Sequence, residues 1–240
     1  MVFAFYQWQY FVVFSPTYFR ERELNSSCEI LSITTDDGVE LEGVVYEPSD
    51  AKNTILFFGG REHDSVGLID RLASEFENSR IITFNYRSYG RSGGVASEKN
   101  ILQDALKIAE IVQKHYGDFY ILGFSIGASV AESVAKRHKT LGVFLIGAFD
   151  SILSIAKEKY GIAPSWMLRY KFDNLELLEN IEVPTYVFSS KSDEVVDIKN
   201  ARNLKNSVKE LVFYKEFDDL SHKELLWNDE VIKKINGVLS

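Results

Sequence analysis

Cysteine is almost missing from this chain: Cys28 stands alone, so no disulfide can form within the molecule, and a reducing, cytoplasmic setting is the expectation. Basic charge is also short. Lys and Arg number 27 against 35 Asp and Glu, a formal net charge of -8, and no basic block recurs. A nucleic-acid backbone is therefore not an expected partner. Nor is there an apolar run of the ~20 residues that span a bilayer. The nearest approach, VFAFYQWQYFVVF at residues 2–14, is uncharged and aromatic but too short. No basic residue precedes it, and SPTYFRERE follows where a leader would carry small residues for cleavage, so a secretory signal is not expected either. For residues 1–24 three readings stay open: packing on the domain, contact with a membrane surface, or self-association with another chain. Repeats, low-complexity tracts and linkers are absent, and 240 residues with 45% hydrophobic content suit one α/β domain over residues 25–240.

What is present is a regular alternation. Residues 29–35 and 39–47 read as strands joined at Asp36-Asp37-Gly38, a hairpin signal that predicts an antiparallel entry to the sheet. Short apolar runs at 54–60, 80–86, 118–124, 140–147 and 184–190 have the character of buried strands. Between most of them, residues 66–77, 98–115, 126–138 and 197–206 carry apolar positions at three- and four-residue spacing. Strand alternating with helix predicts a mostly parallel sheet with helices on both faces. The longest interruption, DSILSIAKEKYGIAPSWMLRYKF at 150–172, is broken at Gly161 and Pro164 and reads as an inserted lid. Its aromatic residues serve either as an apolar underside or as fasteners to the core.

The run YILGFSIGAS at 120–129 sets a serine, Ser125, between Gly123 and Gly127 where a buried strand gives way to a helix. In that context GxSxG is a nucleophile elbow, a turn that exposes the serine hydroxyl. With this motif the chain resembles the α/β-hydrolase superfamily from about residue 30 onward, and its short-lidded serine hydrolases in particular. NYRSYGRSGG at 85–94 is similar to the family's loop after the fourth strand, and SDEVVD at 192–197 to its acid-bearing loop.

A serine hydroxyl attacks only when a base takes its proton, and the base needs a carboxylate to fix its tautomer. Of the four histidines, only His222 follows the acid loop, as the family's order of serine, acid and histidine requires. The other three fall away: His115 and His138 sit near helix ends, and His63, in the loop after Gly59-Gly60, reads either as an ordinary loop residue or as one that lines a pocket. For the acid the choice is Asp193, with Glu194, Asp197, Asp218 and Asp219 as competitors. Backbone amides suit the oxyanion: that of Ile126 after the serine, and by the resemblance that of Gly60, with Arg61 as the neighbouring alternative. Phe58 stands where many relatives have a histidine, which loosens this second assignment.

These residues predict a serine hydrolase cleaving an ester or thioester of an apolar acyl group, without cofactor or metal. An amidase or peptidase on the same three residues, or a non-catalytic binding module on the same scaffold, are the alternatives.

Overall fold

The computed structural model describes residues 2–21, 23–161, 165–179 and 181–240. Pro164, expected to break the lid, falls outside them. Eight strands form one sheet: β1 (Cys28–Thr34), β2 (Glu40–Tyr46), β3 (Asn53–Phe58), β4 (Ser79–Phe84), β5 (Tyr120–Phe124), β6 (Gly142–Ile146), β7 (Thr185–Ser190) and β8 (Leu211–Phe217). Their order is β1-β2-β4-β3-β5-β6-β7-β8. The first two pair antiparallel, with Thr34 opposite Glu40 across the predicted turn, and β2 runs antiparallel to β4; all later pairs are parallel.

Neighbouring residues of the central strands go to opposite faces, as a sheet covered on both sides demands. Leu56 and Phe58 join one core with α3 (Glu98–Tyr116), α4 (Ile126–Ala135) and α7 (Ile198–Ser207); Ile55 and Phe57 join the other with α2 (Ile69–Glu75) and α9 (Asp229–Leu239). Burying each of these large side chains contributes roughly 1.5–3 kcal/mol. The edge strand β8 is not foreseen in the sequence. Its LVFYKEF carries two charges, and most of its residues are only half-buried, so it lacks the continuous apolar run of its neighbours.

From β3 the chain crosses to β4 on one side and then returns to β5 on the other. Loops leaving β3 and β5 therefore diverge at the carboxyl end of the sheet and open a crevice there, the usual ligand position in such sheets.

Above this crevice lie the helix α1 (Val2–Val13) and α5 (Ile152–Tyr160), the latter inside the expected lid and followed by the short α6 (Asn174–Leu178). Phe14, fully buried, meets Tyr170 edge-on at 4.9 Å and Phe172 at 6.3 Å. Gln9 clamps the two segments: its Nε2 donates to the Met167 carbonyl and its Oε1 accepts from the Arg169 amide, both at 2.8 Å. Ser15 donates its amide to Tyr89 Oη at 3.0 Å, and that hydroxyl donates to the Arg61 carbonyl at 2.6 Å. Phe11 stays 70% exposed. Among the described residues no helix is long and apolar enough to cross a membrane.

Gln9 is buried, so Gln9→Ala strands two backbone groups and should cost about 1–3 kcal/mol locally. The expected outcome is faster amide exchange in α1 and residues 165–170 with a smaller change in the central strands; equal protection in the variant would contradict the clamp.

Candidate active site

Ser125 is the single residue between β5 and α4, and its backbone sits at φ 56°, ψ −121°, a region that non-glycine residues rarely adopt. Such strain costs on the order of 1–3 kcal/mol and persists only where the surroundings enforce it. They do so here. A Cβ on Gly127 would lie 2.1 Å from the Phe58 carbonyl oxygen, so only glycine lets α4 start this close to β3. The Ser125 amide is tied to the Ile146 carbonyl at 2.9 Å. Ile126, the first residue of α4, has an amide with no acceptor inside its own helix.

His222 opens the short helix α8 (His222–Leu226), which Ser221 and Glu224 cap reciprocally. Its Nδ1 lies 2.6 Å from Oδ2 of Asp193, in the loop after β7, and both side chains are buried. Oδ1 of Asp193 accepts the amides of Val195 and Val196, each at 2.8 Å, which fixes the carboxylate plane. A proton on Nδ1 facing this carboxylate leaves the Nε2 lone pair free. The competing acids go elsewhere. Glu194 accepts the His222 amide at 3.0 Å, a bond that holds its carboxyl below the ordinary range. Asp197 caps α7, Asp218 pairs with Lys191 at 2.6 Å, and Asp219 is exposed.

Ser125, Ile126, Gly60 and His222 all line one cavity of about 250 Å³. Asp193 stands behind His222, outside it. The lining from α1, α5 and the loop after β6 is mostly apolar (Val12, Val13, Phe149, Ile152, Ile155 and Ala156, with Lys159 the exception), whereas that from the loops after β3 and β7 and from α8 carries Glu62, His63, Glu194 and Lys223. Val12 and Val13 come from α1 and were not foreseen; the only signal was that VFAFYQWQYFVVF carries no charge. The Gly60 amide points at Nδ1 of His63, 3.2 Å away, rather than into the cavity. The Arg61 amide has no acceptor among the described residues. Nor do those residues include three or more His, Cys, Asp or Glu grouped to hold a metal ion.

Burial pulls His63 down to about 4, and the nearby His222 pushes the same way. Below its ordinary value of 6.5 the unfolded chain therefore binds a proton that the folded chain refuses until about pH 4. Stability from this group is complete above pH 6.5 and should fall by roughly 2–3 kcal/mol as pH drops toward 4. Urea titrations at pH 7 and 4.5 should show a smaller loss in His63→Phe than in the wild type; equal losses would contradict it.

No family model matches the chain. Alpha/beta hydrolase domain-containing protein 17B of Homo sapiens is 27% identical over 164 residues, 62% of this chain and 53% of that protein. Lysophosphatidylserine lipase ABHD12 of Rattus norvegicus is 29% identical over 147 residues, 52% of this chain and 37% of that protein. The chain thus spans about half of these relatives' length or less. Among solved structures, the esterase Pf2001 of Pyrococcus furiosus superposes with a TM-score of 0.71 at 17% identity, covering 94% of this chain and 98% of that one. The hydrolase GrgF from Penicillium sp. sh18 gives 0.72 at 13% identity, over 88% and 97%. At those identities the likeness concerns the fold alone, and it is the sequence relatives that carry the family name. Together they lead to one placement: this chain has the α/β-hydrolase fold, and its sequence is similar to that of α/β-hydrolase proteins.

Proposed function

We propose that this protein is a serine hydrolase that cleaves a carboxylic ester or thioester of an apolar acyl group through an acyl-enzyme. The observation that carries this reading is the 2.6 Å contact of His222 with Asp193, beside a strained Ser125 that shares a cavity with His222.

In this reading His222 Nε2 takes the Ser125 proton as Oγ attacks the carbonyl carbon, and the carbonyl π pair moves onto its oxygen. Asp193 stays ionised and stabilises the imidazolium. The oxyanion receives the Ile126 amide and, because the Gly60 amide is engaged by His63, the neighbouring Arg61 amide. Collapse expels the alcohol or thiol, which takes the proton back from His222. Water, deprotonated in turn by His222, then releases the acid and regenerates Ser125. The apolar side of the cavity, formed by α1, α5 and Phe149, receives the acyl chain, and residues 150–161 and 165–172 act as a lid over it.

Ser125→Ala should lower turnover of a short activated ester by at least about a thousandfold while leaving the melting temperature close to wild type. Labelling by a fluorophosphonate probe should vanish with it. A wild-type protein that is folded yet takes no label would point instead to a non-catalytic binding module. Across acyl esters of one activated alcohol, kcat/KM should rise from two to about six carbons, at about 3- to 4-fold per buried methylene; a flat series would contradict the acyl pocket.

A further inference from the structure

His63 is not needed for the acyl-transfer steps above, yet it is held as firmly as the groups that are. Its ring stacks on Phe124, with centroids 5.2 Å apart and planes within 8°, and His222 tilts against the same Phe124 at 4.9 Å. A Cβ on Gly59 would come within 2.9 Å of the His63 Cβ, so the glycine makes room for the imidazole. Nδ1 is occupied as the acceptor of the Gly60 amide at 3.2 Å. A neutral ring bonded in this way carries its proton on Nε2. Burial keeps the ring neutral, with its pKa down at about 4. That Nε2–H has no acceptor among the described residues, and the ring lines the cavity.

Two carboxylates lining the same cavity already have partners. Lys223 is paired with Glu62 at 3.0 Å, and Glu194 accepts the His222 amide at 3.0 Å. His63 therefore offers a neutral donor on the polar side of the cavity, beside the imidazole that protonates the departing group.

We propose that His63 is a specificity-determining residue: its Nε2–H donates a hydrogen bond to an uncharged acceptor oxygen in the alcohol part of the substrate, so that esters of a polyol are preferred over esters of a plain alkanol. This rests on the hydrolase reading and adds the class of leaving group to it. No proton is transferred; the bond orients the alcohol whose oxygen takes its proton from His222.

Two amide substitutions separate the roles of the two ring nitrogens. In His63→Asn the shorter side chain places an acceptor where Nδ1 lies but nothing at the Nε2 position, whereas in His63→Gln the longer one reaches that position with an N–H donor. The test compares kcat/KM for glyceryl monobutyrate and propyl butyrate, which share one acyl group. Wild type should favour the glyceryl ester by about 10-fold, the worth of one well-placed hydrogen bond. His63→Asn and His63→Phe should bring the ratio close to one, while His63→Gln keeps most of it. A ratio retained in His63→Asn, or both esters slowed equally in all three variants, would mean that His63 only anchors the Gly60 loop, and would overturn the proposal. Should the His63→Asn and His63→Phe variants fail to fold, a wild-type ratio near one still overturns it. Turnover of neither ester by a wild type that also takes no fluorophosphonate label would remove the hydrolase reading itself, a failure distinct from an unchanged ratio in an active enzyme.

Discussion

Helix α4 begins so close to the end of β3 that the Phe58 carbonyl would lie 2.1 Å from any Cβ on residue 127. That approach leaves the chain one residue, Ser125, in which to turn from strand to helix, and it drives the serine to a positive φ. The same turn presents the first amides of α4 toward the crevice, because a helix cannot satisfy them internally. A hydroxyl and an amide donor thus arrive together as one consequence of packing. Neither needs a side chain dedicated to holding it, which is why the segment is so poor in bulk.

Other polar anchors hold the rim around this turn. Arg87, in the loop after β4, is buried and bonds bidentately with Asp104 of α3 at 2.7 and 2.8 Å and with Asp37 of the hairpin turn at 2.7 Å. A buried ion pair adds little net stability once desolvation is counted, but breaking it strands a charge, so it fixes which loop lies where. Asp193 follows the same logic. With one oxygen on two backbone amides and the other on His222, its carboxylate has a single orientation, and the imidazole is oriented through it.

Much of this arrangement can be read from the chain before any coordinates. The alternation of apolar runs and helical spacing yields seven strands in place, and GFSIGAS at 123–129 marks the turn, since a lone serine between two glycines at a strand end has few other uses. Chain order singles out His222, whose ring does meet Asp193. Three features escaped for physical reasons. β8 is an edge strand whose two half-buried charges and exposed Val212 mask its period. Val12 and Val13 reach the cavity only through tertiary docking of α1, and a run that is uncharged on all sides has no stripe to reveal which face docks. The Gly60 amide is diverted by a side chain three residues on, and backbone pattern says nothing about where an imidazole folds back.

The cavity's two sides are made from different parts of the chain, and this separates two tasks. Its polar side comes from the loops after β3 and β7 and from α8, which follows β8; there His63 is held by the Gly60 amide and the Phe124 ring, and Glu194 by the His222 amide. Its apolar side comes from α1, from α5 and from Phe149; the two helices meet at the Trp8–Tyr160 edge contact of 6.3 Å, and Gln9 ties α1 to residues 167 and 169 beyond α5. Segments docked on a sheet by side chains, with no ladder of backbone bonds to it, open at lower free energy than the strands beneath them. In the function proposed above, the rigid half is the one that must align reacting atoms within fractions of an ångström, while the acyl group needs only apolar volume. Flexibility is thus placed where the chemistry tolerates it, and entry of a long chain from the α1 side need not disturb the contact between His222 and Asp193.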